Sequence, residues 1–304
     1  MKQKRRVDMA QLQGKTYKFF SFGLVLLFAL LFLFPLYWIL TGAFKTGAEV
    51  NASTPVWIPS QWVMDNFKAL MERRSTPLFR FTLGNLVITG PKIPAAWKWL
   101  INSVFMAGAT MVITCITAAM AGYVLAKKRF YGRSVLFGLV VCAMALPKQV
   151  ILIPLVRLMS LLNLYDNMWA VILPVVGWPF GVFMLKQFSE SVPGEMIEAA
   201  RIDGAGEWRT FSGVVVPMIK PGIGALAIFT FITAWNDYFM QLIMLTGTDK
   251  LTISLGIATM QGETSADYGL LMAGSAMASV PIIVVFLIFQ KYFTKGITMG
   301  AVKG

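Results

Sequence analysis

Residues 19–40 read FFSFGLVLLFALLFLFPLYWIL, a run without a single charged side chain. At 1.5 Å rise per residue, about 20 apolar residues in a helix cross the ~30 Å hydrocarbon core of a bilayer. Five further runs of this kind follow, over about 100–126, 135–156, 168–185, 222–245 and 269–289. Six crossings by an all-α membrane protein are therefore expected, with residues 1–304 forming one transmembrane domain. The fourth run is short and interrupted by Pro174, Gly177 and Pro179. A kinked helix is expected there, its freed carbonyls facing protein or a watery cavity. The first run exceeds the 7 to 15 residues usual for the apolar part of a signal peptide, so it reads as an uncleaved span.

Composition agrees. Hydrophobic residues make up 57% of the chain and charged ones 13%, against about 25% charged in soluble domains. The net charge of +13 comes from lysines and arginines placed between apolar runs, not from a basic face interleaved with aromatics, so nucleic acid is not the expected partner. There is no histidine, and Cys115 and Cys142 both fall inside apolar runs, so no Cys/His zinc site or disulfide framework is expected.

The basic residues assign sides. Segment 1–18, the connection holding Lys127, Lys128, Arg129 and Arg133, the connection 186–220 and the tail 290–304 carry most of the lysines and arginines that flank spans. By the positive-inside rule they are cytoplasmic, as are both termini. Segment 41–99 then forms a long outer loop, where the rule weakens.

The inner connection contains SVPGEMIEAARIDGAGEWRTF, residues 191–211. It reads as helix, turn, helix. Pro193 suits a first helical position, Glu195 meets the positive end of the helix dipole, and Asp203-Gly204 supplies a stop. Small residues at Ala199, Ala200, Gly204 and Ala205 allow close approach by another protein, while Met196, Ile197, Ile202, Trp208 and Phe211 offer apolar anchors. An amphipathic helix lying at the membrane interface would share this spacing.

Glu198-Ala199-Ala200, then Gly204 after three intervening residues, and Val214-x-Val216-Pro217 after nine more resemble the EAA loop of ATP-binding-cassette (ABC) importer permeases, with valines where that family usually has Ile and Leu. Similar likenesses run through Asn102-Ser103, residues 121–126, Phe130-Tyr-Gly-Arg133, Pro147, residues 235–239 and the tail 290–304. The chain thus resembles the carbohydrate-uptake branch, and most of all the maltose-type second permease subunit. Residues 72–97 depart from the family pattern as a longer outer loop, read as a tolerated insertion or as extra contact with a binding protein or acidic solute.

The resemblance implies the type I importer permease fold in the bacterial inner membrane. It implies a heterodimer with a second homologous permease, an ABC ATPase dimer and an extracytoplasmic solute-binding protein. Glu198, Ala199, Ala200, Asp203, Gly204 and Pro217 are then the ATPase-coupling positions. The chain itself would bind no cofactor and hold no catalytic residue or metal, leaving ATP and Mg on the partner ATPase.

Asn236, Asp237 and Gln241 lie in an apolar run, where a charge at the bilayer centre costs on the order of 2.5 to 3.5 kcal/mol. They need protein or water partners. With Trp235 and Tyr238 beside them, and Trp178 in the broken fourth run, they are candidates for a sugar pathway. Holding neighbouring helices together would explain them equally well. Lys148 and Arg157 can snorkel to the interface, and no solute role is assigned to them. Gly14-Lys15-Thr16 lacks the earlier glycine of a phosphate loop, since Met9 stands there. An intramembrane hydrolase has no histidine to use as base. An ion-coupled secondary transporter is the remaining rival, with Asp237 as its coupling group.

Overall fold

A computed structural model of the chain describes the backbone of residues 2–83, 86–261 and 267–301, and the side chains of 17–80, 86–261 and 267–290. Two compact units emerge, Met1–Leu70 with Ala266–Ala276, and Met71–Ser265 with Met277–Gly304.

The first unit opens with α1 (Lys2–Gly42), followed by the single turn α2 (Gly47–Val50) and by α3 (Asp65–Glu72), which runs past its edge. Thr46 and Glu49 form a capping box that begins α2. The same Glu49 carboxylate accepts the Ser60 hydroxyl at 2.5 Å and amide at 2.8 Å. Those bonds, the Ser60 hydroxyl first, bring its pKa down to about 2. Asn66 ties α3 to the end of α1, its amide donating to the Ala43 and Lys45 carbonyls at 3.0 and 2.8 Å.

The second unit starts with four short strands, β1 (Ser75–Pro77), β2 (Arg80–Leu83), β3 (Leu86–Thr89) and β4 (Lys92–Pro94). Strand β1 pairs antiparallel with β4, and β2 with β3. Between the two pairs the Gly90 amide donates to the Phe79 carbonyl and the Leu78 amide to that of Pro91, making one continuous ribbon. Most of the departure at 72–97 is thus a folded β-ribbon, with Leu86, Val87 and Ile88 exposed.

Helices follow: α4 (Ala95–Lys127), α5 (Arg133–Met144), α6 (Leu152–Leu161) after a 3-10 turn over Lys148–Ile151, α7 (Met168–Val176) and α8 (Pro179–Glu190). Then come α9 (Gly194–Ile202), α10 (Glu207–Thr210), a π-turn over Phe211–Val215, α11 (Val216–Met218), α12 (Lys220–Trp235), α13 (Tyr238–Met244) and α14 (Ile253–Gln261). The last helix, α15 (Tyr268–Ala301), carries into the tail; residues 302–304 of that tail lie outside the described chain.

Among the described residues, three helices are long and apolar enough to cross a membrane, at Tyr17–Gly42, Ala95–Lys127 and Tyr268–Gln290; counting each of three bent pairs as one span gives up to six. The expected kink in the fourth run is a 40° bend between α7 and α8. The carbonyls freed there face protein: Thr117 donates to Val176 at 2.9 Å and Thr114 to Val175 at 3.4 Å.

Two runs expected to be continuous are broken. The third bends by 99° between α5 and the helical stretch Lys148–Leu161, because Pro147 has no amide to donate and restricts Leu146 before it. The fifth stops at Trp235, where Asn236 caps α12 and Asp237 caps α13, two side chains that compete with helical bonding. A further bend of 77° precedes α12.

The core of this unit surrounds α4, which packs on α7, α8, α12 and α14. Ala107, Ala118 and Ala119 are buried along it. At Gly122 a Cβ would sit 2.7 Å from the backbone of Leu185 and Lys186, so α4 and α8 approach at backbone distance.

Candidate functional site

The EAA-like positions sit on α9 and the turn that ends it. Pro193 stands at the N-cap, one place before the first helical residue where it was expected. Glu195 occupies the first turn. At the other end Gly204 takes φ +77°, its amide donates to the Arg201 carbonyl, and that of Ala205 donates to Ala200. These two bonds are the Schellman pattern, which requires the left-handed conformation that glycine adopts without steric cost. Asp203 is the C-cap, Glu198 and Ala199 are exposed, and Ala200 is half-buried.

The five apolar anchors divide into two sets. Ile197 and Phe211 are buried in a cluster with Ala119, Tyr123, Leu185 and Val215, and so fasten the element to α4 and α8. Met196, Ile202 and Trp208 are 49%, 86% and 66% exposed. Pro217 lies in α11, exposed, in the arm that leads to the 77° bend.

A polar joint that was not anticipated fixes the same element. The C-terminal end of α4 supplies two lysines. Lys127 donates to the carbonyls of Glu190 and Val192 at 3.1 and 2.5 Å, and Lys128 pairs with Glu207. Glu207 also accepts from Arg201 at 3.2 Å and from the Tyr123 hydroxyl at 3.4 Å. The bonded Lys128 ammonium holds the Glu207 carboxyl below the usual carboxylate range, and Arg201 adds to this. A cavity of about 550 Å³ opens beside the joint, lined by Tyr123, Lys128, Glu207, Trp208 and Phe211 among others. Lys128 and Glu207 are 79 residues apart in the chain, so no local spacing announces the pair.

The pathway candidates part company. Trp235 is 2% exposed and stacks on Phe231 with ring centroids 5.5 Å apart. Asn236 donates back to the Ile232 carbonyl at 3.0 Å. Gln241, fully buried, donates to Ala234 and accepts from the Thr252 hydroxyl. Tyr238 is 40% exposed. Asp237 caps α13 through the Met240 amide at 3.3 Å and pairs with Lys148 at 3.4 Å. Lys148, expected to snorkel, instead bridges the two unforeseen helix breaks, the one at Pro147 and the one at Asn236-Asp237.

Trp178 lines a cavity of about 480 Å³ with Lys148, Met144, Phe180 and Met240. A signal for this grouping existed in the sequence: Pro147, Pro174 and Pro179 each mark a break, and breaks at one depth leave room between half-helices.

Residues 118–299 match the family described as binding-protein-dependent transport system inner membrane component. The arabinooligosaccharides transport system permease protein AraQ of Halalkalibacterium halodurans is 34% identical over 91% of this chain and 93% of its own length. AraQ of Bacillus subtilis is 32% identical over 92% and 93%. Among solved structures, a bacterial ABC transporter involved in import of the acidic polysaccharide alginate has a chain of the same fold, with a TM-score of 0.73, 22% identity and coverage of 92% and 97%.

Proposed function

Since the chain belongs to the binding-protein-dependent transport system inner membrane components, and is a permease subunit of an ABC importer, we propose that it passes a sugar or oligosaccharide inward and takes its driving motion through α9. An extracytoplasmic binding protein delivers the solute, and a second homologous permease completes the pore. An ATPase dimer, which holds the ATP and Mg, grips α9 from the cytoplasm. This chain contributes no catalytic group.

One observation carries the reading. The element made of α9, α10 and the start of the π-turn is anchored inward by Ile197 and Phe211, is cross-tied to α4 by Lys127, Lys128 and Glu207, and keeps Met196, Ile202 and Trp208 uncovered. An element fastened on one side and apolar on the other moves as a rigid body with its anchor when a partner pushes on it. The positive-inside rule, applied to the basic connections, supports a cytoplasmic position for it. AraQ, by its name, serves arabinooligosaccharides, which supports a carbohydrate as the cargo here.

The test uses Gly204→Pro and Ala200→Trp. Both should insert into the membrane normally yet fail to co-purify with the ATPase and lose ATP-driven uptake in vesicles. Normal transport by either variant refutes the coupling role of α9, and uptake on an ion gradient without nucleotide refutes the importer mechanism.

A further inference from the structure

The cavity of about 480 Å³ between the half-helices has the size of a small-ligand site. It is walled by Met144, Leu155, Trp178, Phe180 and Met240, and one charged side chain, Lys148, reaches it. Among the described residues lining it, the strong hydrogen-bonding side-chain groups are both donors, the Lys148 ammonium and the Trp178 indole N–H. Two backbone carbonyls at the break are already engaged, Val175 by the Trp178 amide and Thr114, and Val176 by Thr117. A neutral sugar, whose every hydroxyl must also donate, finds few acceptors here. A sugar carrying an acid group supplies the acceptors that the walls lack.

Lys148 is held for this purpose by a loose partner. Its distance to Asp237 is 3.4 Å, longer than a normal charge-assisted bond of about 2.7 to 2.9 Å. The lysine side chain is 46% exposed and the aspartate 16%, with the second aspartate oxygen committed to the Met240 amide. The ammonium therefore keeps donors free toward the cavity while a carboxylate stands behind it. A cation at membrane depth is costly without a counter-charge. An arriving anion takes over that role, and Asp237 resumes it on departure.

We infer that this cavity receives the acid group of an anionic saccharide on Lys148, with the ring's CH face against Trp178 and Phe180. The inference rests on the reading of this chain as part of a sugar importer and narrows the cargo to sugars bearing an ionised group.

The test measures binding to the complete importer, this chain with its partner permease and ATPase in lipid nanodiscs, by ligand-observed saturation-transfer NMR at fixed ionic strength. The probes are trigalacturonate and its fully methyl-esterified form, alike in shape and different in charge. The acid should bind at least about tenfold tighter than the ester, the scale of one hydrogen bond to a charged group. Lys148→Arg should keep the preference and Lys148→Met lose it. Asp237→Asn, which leaves the cation and removes its competitor, should tighten acid binding. Equal binding of the two probes, binding of neither, or equal loss in Lys148→Met and Asp237→Asn overturns the inference; the last outcome assigns the pair to holding helices. Failure here is distinct from failure of the coupling reading, which is scored by ATPase co-purification and ATP-driven uptake without regard to ligand charge.

Discussion

Glu207 is 62% exposed, so each of its ion pairs contributes only about 0.2 to 1 kcal/mol to stability. What the pairs supply is direction: Lys128 from α4 and Arg201 from α9 meet on one carboxylate and fix the angle between two helices. Glu207→Gln should leave the unfolding temperature nearly unchanged while solute moved per ATP falls roughly 2- to 30-fold, the range of coupling energies of 0.5 to 2 kcal/mol. Transport and hydrolysis rates measured together in proteoliposomes check this, and an unchanged ratio removes Glu207 from the joint. The pH dependence has a definite sign. Because the folded carboxyl titrates below its ordinary range, its small contribution is complete above the ordinary pKa of about 4.3 and is lost as pH falls through the lower folded value. At neutral pH the joint is insensitive to acidification.

Helix α4 shows what a single span must do when four neighbours lean on it. Gly122 touches the α8 backbone, which cannot rotate away, whereas a Cβ at Gly108 on the same helix meets nothing within 4 Å. Gly122→Val should cost about 1 to 3 kcal/mol as overpacking, and Gly108→Val should be close to neutral. Thermal unfolding of the purified protein in detergent compares the two; equal effects would mean that helix propensity, not packing, governs. Helices such as α4 were legible because a bilayer demands long apolar runs. The breaks in the third and fifth runs were not, because hydropathy averaged over a span is blind to one proline or one Asn-Asp pair. The β-ribbon had a signal that went unused: RFTL and LVIT flank Gly84-Asn85, a two-residue hairpin spacing.

Across the whole molecule, the basic connections make a claim about sides that labelling can check. In a Cys142→Ala background, Ser53→Cys should react with a membrane-impermeant maleimide in intact protoplasts, and Tyr131→Cys only after the membrane is opened. Both positions are exposed, so the reverse pattern would invert the topology. The EAA-like positions 198–204 were readable as one unit because a short helix and the turn that ends it carry them, while Pro217 stands apart in α11. The Lys148 cavity and the Lys128–Glu207 joint were not, since each is assembled from segments far apart in the chain. Between the joint and α12 lies the π-turn, closed by the Val216 amide on the Phe211 carbonyl. Such a turn holds one residue more than an α-turn. Rewinding it to ordinary pitch would swing everything beyond it by about 100° and lengthen the arm by ~1.5 Å. The chain thus carries a screw thread between α10 and α12, with slack of a single residue.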